Sequence, residues 1–272
     1  MASFPPLGDW GPTRDTLHAY SRVLGAILRA HAEPAPDWSH VSLVLDEEGL
    51  ESRPFSTRRG DVVMRLDLRR HRFELDAPGG VVSMSLDGGL SATELAQEIE
   101  RRGEALGVNL KPDPAHYEND RPTGYHTAKA ESYLQALQDV SRTFDAVRKD
   151  LDGDVSEMRM WPHHFDLSFE WHGKEVTFEA KDGSEKSAKA TIGFGFSTGD
   201  ENHAGAYVYA NPWPFDQGLT DHELPGKASW YTQAWQGSIY SYSDLVGANE
   251  QPLRDYLDTV YQLATPALRS RR

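Results

Sequence analysis

Hydrophobic positions change period several times along the chain, and each change marks an element. Between Thr13 and His31, the residues Leu17, Tyr20, Leu24, Ile27 and Leu28 recur three and four apart, the spacing of one helix face. Thr13 or Asp15 stands where a capping side chain would start that helix, and Pro34 and Pro36 stop it. The period then drops to two. After Trp38-Ser39-His40, the residues Val41, Leu43 and Leu45 alternate with polar ones, and Leu50 to Phe55 reads as a short second strand with Pro54 placing it at an edge. Val62, Met64, Leu66 and Leu68 oppose Val63, Arg65 and Asp67 in a third strand. Arg72 to Leu75 and Val81 to Leu86 follow, separated by Pro78-Gly79-Gly80. Short strands joined by tight turns predict an antiparallel meander. Ser91, with Glu94 three residues on, forms a capping box for a helix whose buried side holds Leu95, Ile99, Ala105 and Leu106.

Lys111 to Tyr125 is rich in Pro, Asp and Asn and reads as a linker. After it the order restarts. Ala128 to Leu151 predicts a long amphipathic helix, with Tyr133, Leu134, Leu137, Val140, Phe144, Val147 and Leu151 on one side. Trp161-Pro162-His163 then opens a strand, as Trp38-Ser39-His40 does. A hairpin is expected from Phe165 to Ala180, turning at His172-Gly173, followed by a polar loop from Lys181 to Lys189. Thr191 to Phe196 and Ala206 to Ala210 read as strands, Asn211 to Ala228 as a long loop, and Ser229 to Tyr242 as one or two strands. Pro252 suits the first turn of a last helix, Leu253 to Ala264. The expected fold is therefore α+β, in two similar halves, each an antiparallel sheet flanked by helices. Residues 1–110 form the first half, 111–125 the linker and 126–272 the second half, related by a pseudo-twofold duplication. A chance likeness between two α+β segments is the competing explanation.

Composition narrows the class. With 272 residues, 38% hydrophobic and 26% charged, the chain reads as a folded protein with room for a large core. The formal net charge of −14 disfavours nucleic acid and anionic membrane as partners, although a basic end is formed by Arg269, Arg271 and Arg272. The absence of cysteine removes disulfides, thiolate metal sites and Cys nucleophiles together, and fits a cytoplasmic location. The first residues lack the basic start and apolar core of a signal peptide, and no apolar run approaches a membrane span.

Candidate chemistry gathers in the second half. His163, His164 and Asp166 enter an apolar strand, where alternate residues share a face, so His164 and Asp166 are expected to point the same way. His-x-Asp with a distant His is the spacing of a facial metal triad for Fe or Zn, which makes His164, Asp166 and His203, or alternatively His222, a candidate ligand set. The same residues, with Asp200, are candidates for acid–base work on a small molecule. Structural polar residues beside a buried Trp are the plainer reading. Gly193 and Gly195 alternate with Phe194 and Phe196, leaving one strand face bare for a flat ligand or for another packing layer. Trp161, Phe194, Tyr207, Tyr209, Trp213 and Trp230 are the candidate ligand-binding aromatics, in a larger set with Phe215, Tyr231, Trp235, Tyr240 and Tyr242. Two functions follow: a small-molecule enzyme with a His/Asp site in a cleft lined by aromatics, or a non-catalytic module binding a small ligand or partner through those rings. A homo-oligomer is compatible with both. No nucleophile elbow, phosphate loop, dinucleotide fingerprint or zinc-protease motif is present.

At WGPTRDTLH (Trp10 to His18), WPHHFDLSF, FGFSTGD and YANPWP, the sequence resembles the domain of unknown function 5996 family of bacterial proteins, from about Leu7 to the last helix. The resemblance implies a stand-alone bacterial protein and brings no activity or catalytic residue with it. Thr198 stands where the resemblance leads one to expect Pro.

Overall fold

The structure, a computed structural model, describes residues 3–121 and 124–269. Two residues of the expected linker, Pro122 and Thr123, and the arginines 271 and 272 of the expected basic end lie outside the described residues. In chain order the elements are α1 (Gly11–His31), β1 (Leu43–Leu45), β2 (Gly49–Ser52), β3 (Phe55–Thr57), β4 (Gly60–Asp67), β5 (Arg72–Ala77), β6 (Gly80–Ser85) and α2 (Ala92–Ala105). There follow α3 (Thr127–Asp150), β7 (Asp154–Val155), β8 (Arg159–Trp161), β9 (Asp166–Glu179), β10 (Glu185–Ser197), β11 (Tyr207–Trp213), β12 (Ser229–Tyr231), β13 (Gly237–Ser241) and α4 (Gln251–Leu268). The fold is mixed α and β with antiparallel pairing, as expected. No helix among the described residues is long and apolar enough to cross a membrane.

The chain forms two compact units. One, here the N-terminal unit, comprises Leu7–Gln138 and Arg159–Asp166; the other, the C-terminal unit, comprises Met1–Pro6, Asp139–Met158 and Leu167–Arg272. In the N-terminal unit the strand order is β8-β1-β2-β4-β5-β6, with β3 also pairing β4. The expected core face of β4 is the observed one: Val62, Met64 and Leu66 are buried, as are Leu17, Tyr20, Leu24, Ile27 and Leu28 of α1. The capping box at α2 is present, with the Glu94 amide donating to Ser91 Oγ and the Ser91 amide to Glu94 Oε2. Helix α1 differs from expectation. It starts at Gly11 with Pro12 in its first turn and has no side-chain cap.

Thr13 and Thr16 instead tie down the segment expected to be a linker. The His126 amide donates to Thr13 Oγ1 at 3.0 Å and the Gly124 amide to Thr16 Oγ1 at 3.1 Å. Upstream, Arg22 donates to the His116 carbonyl, and Tyr117 and Tyr125 are buried. The described residues of this segment form a strap bound to α1, and they lie inside the N-terminal unit.

In the C-terminal unit the strand order is β9-β10-β11-β13-β12, with β7 pairing β9 and α4 packing on β10 and β11. Phe169 and Phe194 stack at 5.1 Å beneath this layer, and Phe144 meets Phe169 edge-on. The expected turn at His172-Gly173 is absent. Strand β9 runs straight through both residues, and the hairpin turns at 181–184, inside the stretch expected to be a polar loop. Gly173 is there for proximity, since a Cβ would sit 2.3 Å from the Leu268 carbonyl oxygen of α4. Beyond His172 the two hairpin strands are exposed or half-buried along their length until Ala190.

The order helix, strands, helix does occur twice along the chain. The two Trp-x-His openings, however, are not equivalent. Trp38 is left-handed and precedes a 3-10 turn, whereas Trp161 is the last residue of β8.

Candidate functional site

The His-rich stretch is a turn, not the strand that alternation suggested. Trp161 to Phe165 forms one α-type turn, closed by the Phe165 amide donating to the Trp161 carbonyl at 2.8 Å. Phe165 holds a left-handed backbone, φ 55°, with its ring fully buried. A bulky residue there is strained unless its surroundings enforce it. Here they do. The ring stacks on His18 at 5.5 Å and 8°, and tilts against Tyr133 at 5.4 Å, which in turn stacks on Trp10 at 4.6 Å.

Helix α1 holds the same turn from one face. His18, Ser21 and Gly25 lie three, four and seven residues apart, so they share a stripe. His18 Nε2 is 3.2 Å from the His163 carbonyl and must carry a proton to donate to it. Ser21 Oγ reaches the Pro162 carbonyl at 3.4 Å. Gly25 leaves space for the Pro162 ring, whose Cβ would lie 2.8 Å from any Cβ added to Gly25.

The turn leaves the residues expected to act together in different surroundings. His163 and His164 are exposed, their rings 4.2 Å apart, while Asp166 is buried at the start of β9. Burial lowers the pKa of His18, outweighing the bond to the His163 carbonyl. Partial burial, together with the neighbouring His164 and His18, lowers that of His163. Both shifts favour the neutral imidazole. Tyr133 is fully buried, and burial with the nearby Asp166 carboxylate keeps its phenol protonated; its hydroxyl has no hydrogen-bond partner among the described residues. His18 and Tyr133 carry no sequence signal of a site. Nothing in their periodicity distinguishes them from ordinary helix-face positions.

The second candidate region is the sheet face made by β10, β11 and β13. The register pairs Gly193 with Asn211 and Gly195 with Tyr209. Those partners cover the bare strand. A Cβ on Gly195 would lie 2.2 Å from Tyr209 Cζ, and one on Gly193 2.4 Å from Asn211 Oδ1. The glycines thus seat a packing layer, and Phe194 points into the core instead of lining the face.

Above the glycines, three rings stand in a near-equilateral triangle. Tyr207 and Trp235 are 6.4 Å apart and near-parallel at 20°, Tyr209 is 6.1 Å from Trp235 at 70°, and Tyr207 is 6.3 Å from Tyr209 at 56°. Tyr231 backs Trp235 at 4.8 Å. Asp200 anchors one corner, its Oδ2 accepting from the Tyr207 hydroxyl at 2.7 Å and its Oδ1 from the amides of Asn202 and His203. Burial alone would raise the Asp200 pKa; these three donors outweigh it and lower the pKa. The His203 ring meets the edge of Tyr207 at 4.9 Å.

The remaining expected ligand residues lie apart from the triangle. Trp161 is half-buried with its ring edge-on to His163 at 6.1 Å, Trp213 pairs with Phe178 at 5.2 Å, and Trp230 pairs with Phe215 and donates to the His222 carbonyl at 2.8 Å. Among the described residues no group of three or more His, Asp or Glu side chains is placed to hold a metal ion, so the expected set of His164, Asp166 and His203 does not form one. His203 belongs to the C-terminal unit and the other two to the N-terminal unit.

The four stretches that carried the family resemblance meet in pairs. WGPTRDTLH and WPHHFDLSF build the turn around Phe165, and FGFSTGD and YANPWP build the glycine-backed face. Neither the curated proteins nor the solved structures contain a match to this chain. The model of one family, described as a family of unknown function (DUF5996), matches residues 4–269, and the chain belongs to that family.

Proposed function

We propose that the protein binds a small molecule through the aromatic face of its C-terminal unit. The observation that carries this reading is the triangle of Tyr207, Tyr209 and Trp235, seated on the Gly193–Gly195 strand with one ring fixed by Asp200. Tyr209 and Trp235 are half-buried and Tyr207 is buried; rings with polar tips combine apolar contact with orientation, which is what small-ligand sites require. Trp235 is the ring to remove, because it lies between β12 and β13 and forms no backbone pair of either strand. In a thermal-shift survey of small molecules, compounds that stabilise the native chain are expected to give no shift with Trp235→Ala, measured from that variant's own lower melting temperature. Compounds that shift both proteins equally would refute the assignment.

A second reading, acid–base chemistry by His18, His163 and His164 with Asp166 behind them, is favoured by the left-handed Phe165. Strained residues enforced by their neighbours concentrate at working sites. It predicts a compound whose shift is lost in His163→Ala or His164→Ala and kept in Trp235→Ala.

A further inference from the structure

We infer that the free edge of β6 is a self-association surface, to which a second copy of this chain adds its own β6, antiparallel, about a twofold axis at Ser83. The product is a closed dimer with the same strand on both sides of the joint. It is independent of the binding reading above. Three observations select the edge and its occupant.

The first is the edge itself. β6 ends the strand order of the N-terminal unit, and among the described residues it pairs only with β5. The two strands match one for one, from Gly80 opposite Ala77 to Ser85 opposite Arg72, so no bulge twists the edge away. Proteins blunt a free edge with a lysine, a proline, a charge or extreme shortness. The stretch GGVVSMSL, 79–86, has no charged residue and no proline, and Val81 is 62% exposed. By contrast β12, which ends the order of the C-terminal unit, has only three residues.

The second is the phase of the backbone. The Leu86 amide donates to the His71 carbonyl at 2.9 Å, on the β5 side. Backbone groups alternate sides along a strand, so Val82 and Met84 also bond to β5, while Val81, Ser83 and Ser85 turn their amides and carbonyls outward. An axis at Ser83 sets Ser83 opposite Ser83 and each Val81 opposite Ser85 of the second copy. All three pairs are of the hydrogen-bonded kind, about six bonds in total. An axis one residue away, at Val82 or Met84, keeps only two such pairs within β6.

The third is side-chain complementarity. The same register sets Val82 opposite Met84 twice, in the close pairs where side chains touch. Val82 is half-buried and Met84 buried, so the second copy extends an apolar layer. On the other face each outer row runs Asp76, Val81, then Ser85 and Arg72 of the second copy, which puts opposite charges at its two ends. The central row holds Glu74, already paired with Arg72 at 2.7 Å. Chains of net charge −14 repel one another, and this uncharged strip is where they can approach. A joint of one short strand falls below about 1,200 Å², where association is reversible.

The test is sedimentation velocity on the full chain from about 1 μM to about 1 mM. The native chain is expected to show a monomer–dimer equilibrium, tightened by added salt that screens the repulsion. Ser83→Lys and Ser83→Glu each bring like charges face to face at the axis and should weaken the dimer at least about tenfold. Ser83 is exposed, so the circular dichroism and the melting temperature of dilute protein should stay native. Mixed in equal amounts, the two variants set Lys against Glu and should regain the dimer. Ser83→Pro removes only an outward amide and should also be monomeric.

A native chain that stayed monomeric throughout would overturn the inference, whether or not the edge took up an extended segment of another protein. A dimer that survived all three variants would overturn it as well, as would failure of the mixed Lys and Glu variants to pair. Growth into open-ended assemblies would overturn the closed twofold joint.

Discussion

The turn around Phe165 and the ring face over Gly195 are both aromatic clusters with histidine and aspartate nearby, yet they are organised in opposite ways. At the turn, the backbone is forced and the rings are locked: Phe165 is left-handed and wedged between His18 and Tyr133, while the exposed imidazoles of His163 and His164 project from it. At the face, the strands are regular and the rings are what is arranged. Bare glycines lie below them and one aspartate clamps a corner. The titratable residues most conspicuous in the sequence thus sit on the rim of a structural knot. The residues that the proposed binding reading uses are uncharged Tyr and Trp side chains.

The comparison can be broken most severely at the knot. Phe165→Ala removes a fully buried ring, and such truncations cost about 3–5 kcal/mol. The urea midpoint should fall accordingly. Gly25→Val pushes a side chain into Pro162 and should cost about 1–3 kcal/mol by overpacking, read in the same unfolding curves. At the face, Gly195→Ala meets only the far end of Tyr209. It should cost about 1 kcal/mol and abolish ligand-induced stabilisation, a loss of binding out of proportion to the loss of stability.

pH sharpens the contrast further. The folded-state pKa of His18 lies below its ordinary value, so the unfolded chain takes up the proton first. Stability is then complete above about pH 6.5 and declines as the pH falls below it; His18→Gln should flatten that decline. Asp200 has the same sign at lower pH, its contribution present above the usual carboxylate range and lost as acid protonates it. Smallest of all, His163→Ala and His164→Ala alter exposed side chains and should stay within about 0.5 kcal/mol of native stability.

Much of the fold is legible in the sequence. The alternation through Val62, Met64, Leu66 and Leu68 fixed the buried side of β4, and Ser91 with Glu94 fixed the start of α2. These are local signals, satisfied within a few residues. What could not be read depends on distant partners. His172-Gly173 looks like a turn until the Leu268 carbonyl of α4 explains the glycine, and the Pro- and Asn-rich strap looks like a linker until Thr13 and Thr16 are seen holding it. The His-x-Asp spacing implied one shared face only on the assumption of strand geometry. The left-handed Phe165 between the two residues removes that assumption. Gly195 was conspicuous in the sequence, but its covering by Tyr209 follows from a register that no single strand encodes.

The long β9–β10 hairpin has one more consequence. From Lys174 to Glu179 and from Glu185 to Lys189 neither strand contributes a fully buried residue, and one face is half-buried through Val176 and Phe178, so this end is a two-stranded ribbon largely open to water. An isolated ribbon of that kind is marginal in water and opens without disturbing the layers that anchor its base. Its amides should exchange with deuterium well ahead of those from Ala190 to Phe196. A protease nick between residues 181 and 184 should leave both fragments associated and folded.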